Sequence, residues 1–141
     1  MTTNNVRAIA HATFIISGTD VIPDVWTAYF GVRPSRESIK GQRFVLPSGK
    51  LSQRPATLGL WGIGSKSIIH SDQLAPHLRY LKSYLALPRG DLRDLAAAQG
   101  ATVALWCYWF NEPGHGAPDV PDDIRAMMGA LGGTIELDEY Q

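Results

Sequence analysis

Residues Ala101 to Phe110, ATVALWCYWF, run for ten positions without a charge, a glycine or a proline. With a period of two, Val103, Leu105, Cys107 and Trp109 share one face, and Ala104, Trp106, Tyr108 and Phe110 share the other. A strand that is apolar on both faces belongs inside a sheet, covered on both sides. Aromatic and β-branched side chains suit such a pleated surface. The pattern therefore predicts a central buried strand. A second reading of the aromatic face is a pocket lining or a partner surface, because large aromatics anchor interfaces.

On the N-terminal side of this stretch, Gly100 ends a short helix carrying Leu92, Leu95 and Ala96, capped at Asp91. Before it, Ser71 is the expected N-cap of a helix with an apolar stripe of Leu74, His77, Leu78, Leu81 and Leu85. Thr57 to Ile63 alternates and reads as a strand, with Lys66 to Ile69 as a possible extension beyond a bend at Gly64. Ser35 to Pro55 is irregular; Gln42 to Leu46 and Leu51 to Gln53 are expected to flank a turn at Pro47 to Lys50 as a charged hairpin. Ile22, Val25, Trp26, Tyr29 and Phe30 form a helical stripe that Pro23 opens and Gly31 closes. Arg7 to Ser17 is the first strand. On the C-terminal side, Asn111 to Pro118 is a loop. Pro121 opens a helix with Ile124, Met127, Met128 and Leu131 inward, and Thr134 to Tyr140 is the last strand, with Ile135 and Leu137 inward.

The element order predicts a single α+β domain over residues 1–141. Its expected plan is a ferredoxin-like, mostly antiparallel sheet with helices packed on one face, extended by a C-terminal helix and strand. A hydrophobic fraction of 45% and a charged fraction of 18% describe a globular protein with one core. No apolar run approaches the ~20 residues of a membrane span. His11 interrupts the N-terminal apolar run, which is read as a strand rather than a leader. The single cysteine, Cys107, excludes an internal disulfide, points to the cytoplasm and reads as an inert core thiol. Net charge is zero but the signs are segregated. Arg33, Arg36, Lys40, Arg43, Lys50, Arg54 and Lys66 stand against Glu37 alone, and the acidic residues gather after Asn111. These segments either meet in the fold, form separate solvated faces, or serve a charged partner or self-association, including a homodimer.

Several spaced features resemble a bacterial family described as a domain of unknown function, DUF4279. They are the opening strand, Gly31-Val32-Arg33-Pro34, Trp61, the helix around Leu74, His77, Leu78 and Leu81, and Leu137-Asp138-Glu139-Tyr140. The resemblance implies an α+β fold and no established activity, catalytic residue or cofactor. Similar proteins occur among candidate immunity proteins of bacterial toxin systems.

The residues offer no strong catalytic signature. Gly59 to Ser67 imitates a phosphate loop, but its spacing fails by one residue and no helix follows directly. His70, Asp72 and His77 straddle a helix start and need not converge on a metal. Asn111-Glu112-Pro113 would need a much larger barrel to act as in a glycosidase, although Glu112 could pair with Glu136 or Asp138. No Ser-His-Asp or Cys-His arrangement has supporting context.

The expected function is a non-enzymatic cytoplasmic protein-interaction domain, of an immunity type that neutralises a toxin domain. Its partner-binding residues would be Trp61, Trp106, Tyr108, Glu112, Asp119, Asp122, Asp123, Glu136 and Asp138. The alternative is an anionic-ligand domain or enzyme, with Arg33, Arg36, Lys40 and Arg43 beside a pocket between the sheet and the basic 33–54 segment. No cofactor, metal or membrane partner is expected, and zero net charge gives little attraction for nucleic acid.

Overall fold

The computed structural model describes residues 10–46, 48–110 and 119–140. In chain order these form β1 (Ala10–Gly18), α1 (Pro23–Phe30), β2 (Arg36–Ser38), β3 (Gly59–Gly64), α2 (Leu74–Tyr84), α3 (Leu92–Ala98), β4 (Thr102–Phe110), α4 (Asp122–Ala130) and β5 (Thr134–Tyr140). The strands make one sheet of order β2-β3-β1-β4-β5. The pairs β2·β3, β1·β3 and β1·β4 are antiparallel, whereas β4·β5 is parallel. The sheet is therefore mixed. The parallel pair follows from α4, which carries the chain back to the starting end of β4 before β5 begins.

One face of the sheet joins the helices in a single apolar cluster. It takes Ala10, Ala12, Phe14 and Ile16 from β1, Trp61 and Ile63 from β3, and Val103, Leu105 and Cys107 from β4. The helices contribute Trp26 and Phe30, the stripe Leu74, Leu78 and Leu81, then Leu92, Ala96, Ile124, Met127 and Met128. Among the described residues, the other sheet face contributes no strand residue to this cluster. The expectation that β4 is covered on both sides thus fails at Trp106, which remains 55% exposed.

Helix α1 presents Pro23, Trp26 and Phe30 to the core and leaves Ile22 and Val25 exposed, so the apolar stripe read from the sequence is narrower than expected. Phe30 stacks on Trp61 with ring centroids 4.8 Å apart. Gly31 closes the helix at φ 72°, a left-handed conformation that glycine adopts without a Cβ clash. Val21 crosses the start of β3 so closely that a Cβ at Gly59 would collide with its carbonyl oxygen.

The connection from Ser38 to Gly59 keeps the predicted hairpin only as a single antiparallel bridge, without full strands on either side of the turn. It holds two isolated bridges, Lys40 with Ala56 and Val45 with Leu51, and β2 lies before it. Around the Val45–Leu51 bridge, Leu46 N donates to the Lys50 carbonyl and Ser52 N to the Phe44 carbonyl, and buried Ser52 adds side-chain bonds: its Oγ accepts from Phe44 N and donates to the Arg54 carbonyl, while its own carbonyl accepts from Arg43 Nε. Side-chain bonds of this kind compete with strand pairing, which explains the irregularity. Residues after Gly64 turn rather than extend β3.

Candidate interaction face and buried polar joint

The face turned away from the core is built by alternation. When Val103, Leu105 and Cys107 point inward, Ala104, Trp106 and Tyr108 must point outward. Register then fixes their neighbours. Trp106 lies between Thr13 on β1 and Glu136 on β5; Tyr108 lies between His11 and Asp138. The His11 and Tyr108 rings stack at 4.8 Å and 5°. Burial first, then the positive charge of Lys66 and a smaller electrostatic contribution from the His77 ring, hold the His11 imidazole below its ordinary 6.5. The stack therefore favours a neutral ring, and the charge on this side of the face comes from exposed Glu136 and Asp138. Further across, Ile15 is buried, Gly62 and Gly64 carry no side chain, and exposed Arg36 stands in register with Gly62 on β2.

The structure brings together Trp106, Tyr108, Glu136 and Asp138 from the sequence-derived set, and it disperses the others. Trp61 is fully buried on the core face, where its Nε1 donates to Thr27 Oγ1. Asp119 accepts hydrogen bonds from Leu74 N and Ala75 N with its two carboxylate oxygens and caps α2. Ser71, the expected cap, instead accepts from Gln73 N, and Gln73 takes the N-cap position. Asp123 bridges Lys82 and Arg79 on α2; the hydrogen bond from Lys82, then the charge of Arg79, draw its carboxyl below the usual range. Asp122 is exposed on α4, and Glu112 lies outside the described residues. His11 was not singled out by sequence; alternation put it on the outer face of β1, but only register shows that it meets Tyr108.

Arg33, Arg36, Lys40 and Arg43 are exposed, with Arg36 on β2 in register with Gly62. β2 and β5 occupy opposite ends of the sheet, so the basic segment and the acidic last strand do not meet within the sheet. An apolar groove of about 290 Å³ lies between α1 and α3, lined by Val25, Trp26, Tyr29, Leu95, Ala98 and Gln99.

A second polar feature is buried. Ser65 and His77 are fully inaccessible. His77 Nε2 lies 2.9 Å from the Ser71 carbonyl, which can only accept, so Nε2 carries the proton. Nδ1 then accepts the Ser65 hydroxyl at 2.7 Å, and Ser65 Oγ accepts from Ala12 N. The pair superficially resembles a nucleophile and its base, but no solvent path reaches either group and a carbonyl, not a carboxylate, orients the imidazole. It joins β1, the end of β3 and α2. Burial pushes the Cys107 thiol up to about 12, which disfavours its nucleophilic thiolate. Among the described residues, no group of three or more His, Cys, Asp or Glu side chains is placed to hold a metal ion. No helix among them is long and apolar enough to cross a membrane.

A family model described as Domain of unknown function (DUF4279) matches residues 7–141. Comparison with curated proteins and with solved structures gives no match.

Proposed function

This chain belongs to the DUF4279 family, and we propose that it acts as a protein-interaction domain that recognises its partner with the sheet face over β4 and β5. The observation that carries this reading is Trp106, 55% exposed and flanked in register by Glu136. An uncovered tryptophan is costly to leave in water and supplies large contact area when a partner covers it. Glu136 and Asp138 favour a basic partner and would speed its encounter. A toxin domain is the partner class to which the family resemblance points. The chain works in the cytoplasm on this reading, which its single buried cysteine supports. We also assign the first four strands to a ferredoxin-like core: the order β4-β1-β3-β2 and its antiparallel pairings support that plan, with α4 and β5 as the extension.

The experiment is affinity capture followed by titration of the captured partner. Trp106→Ala should weaken binding by about 2 kcal/mol, roughly thirtyfold, while folding stays intact by circular dichroism. Leu95→Ala, at an exposed position of α3, serves as the control. Equal affinity of wild type and Trp106→Ala refutes the proposed face.

A further inference from the structure

We propose that the outer edge of β5, unpaired among the described residues, accepts an extended segment of a partner protein as an added strand, and that this segment alternates basic and apolar side chains. The proposal rests on the interaction reading above but names a different surface and a specific chemistry. β5 stands at the end of the sheet and pairs with β4 on one side; among the described residues no strand lies on its other side. An edge strand presents unpaired backbone donors and acceptors, which templates pairing with another chain.

The side chains of β5 state what the guest must look like. Glu136 and Asp138 are exposed on the same face as Trp106 and Tyr108. Ile135 and Leu137 lie on the core face, yet Leu137 is 46% exposed although its register partner Cys107 is 1% exposed. The apolar face of the sheet therefore continues one strand beyond the point where the cluster seals it. A guest strand would extend both faces at once. Its side chains beside Ile135 and Leu137 would bury apolar area, and those beside Glu136 and Asp138 would meet carboxylates at about 5 Å between Cβ atoms. Because host and guest share the same two-residue repeat, lysines or arginines at alternate guest positions match both acids together. A second copy of β5 does not fit: pairing two such edges sets Glu136 and Asp138 against the same acids.

The test uses the full chain with three synthetic peptides: one alternating Arg and Val, one alternating Glu and Val, and one with the first composition arranged as an Arg block followed by a Val block. Affinity is read by fluorescence anisotropy, and the contact by amide hydrogen exchange. The alternating Arg/Val peptide should bind at least about tenfold tighter than either control, with new amide protection centred on β5. A double variant, Glu136→Lys with Asp138→Lys, should prefer the Glu/Val peptide. Equal affinity for the alternating and block peptides, absence of binding at millimolar peptide, or protection away from β5 overturns the proposal. These results are distinct from failure of the Trp106 face, which is read with the natural partner: strand addition can fail while Trp106→Ala still weakens that complex, and the reverse.

Discussion

At the scale of the residue, the most consequential side chains are polar groups inside the core. Ser65 accepts from Ala12 N and donates to His77, so removing its hydroxyl leaves a backbone donor and an imidazole nitrogen without partners in a buried place. Ser65→Ala should therefore destabilise the fold by about 1–3 kcal/mol, measured by urea denaturation, although it deletes a single oxygen. Ser67→Ala, at an exposed neighbouring position, should change stability by less than about 0.5 kcal/mol. His11 supplies a pH dependence. Its folded pKa lies below 6.5 because of burial, then Lys66 and His77, so the unfolded chain binds the proton first as pH falls. The associated stability is present above 6.5 and is lost as pH drops through the folded value. Thermal midpoints measured downward from pH 7.5 should fall, and His11→Gln should flatten that fall; an identical slope in the variant would remove His11 as the cause. Cys107 illustrates what sequence could say about one residue: its mid-strand position already implied an inert thiol, and burial accounts for it.

At the scale of the element, the helices show both what local sequence specifies and where it stops. The spacing of Leu74, His77, Leu78, Leu81 and Leu85 identified the buried stripe of α2, because a helical period of 3.6 leaves few other ways to hide those side chains. The cap was not readable, since it comes from Asp119, far along the chain. Asp119→Ala removes acceptors from two backbone N–H groups at the helix start and should cost about 1–2 kcal/mol in equilibrium unfolding. Strand β3 makes the complementary point. Gly59 reads as a weak strand residue, but its lack of a Cβ is what lets Val21 pass. Gly59→Ala should destabilise by about 1–3 kcal/mol, because backbone rather than a flexible side chain must move. β2 escaped recognition because three polar residues, Arg36, Glu37 and Ser38, carry no apolar alternation; their pairing with β3 makes them a strand.

At the scale of the whole molecule, the sheet order separates charges that the sequence merely segregates. Arg36 lies at one edge, and Glu136 and Asp138 lie at the other. Acidic side chains on the outermost strand discourage pairing between like edges. Replacing both acids, Glu136→Val with Asp138→Val, should therefore convert β5 into a self-associating edge, detected as dimers or larger species by sedimentation velocity under conditions where the wild type shows less association. The candidate face belongs to this scale as well. Trp106, Tyr108, Glu136 and Asp138 were each conspicuous in the sequence, but so was Trp61, and nothing local distinguishes a tryptophan that fills the core from one that meets solvent.

The sequence by itself determined the periodicities: which stretches are helical, which alternate, and that ATVALWCYWF is an interior strand flanked by neighbours on both sides. Those features depend on residues a few positions apart, whose geometry the backbone fixes. Tertiary structure alone decided the parallel pairing of β5, the capping of α2 by Asp119, the stacking of His11 on Tyr108, and which of two apolar faces of β4 the helices cover. Each of these depends on register or packing between distant segments, and a period of two is silent about which side of a strand its partners will occupy.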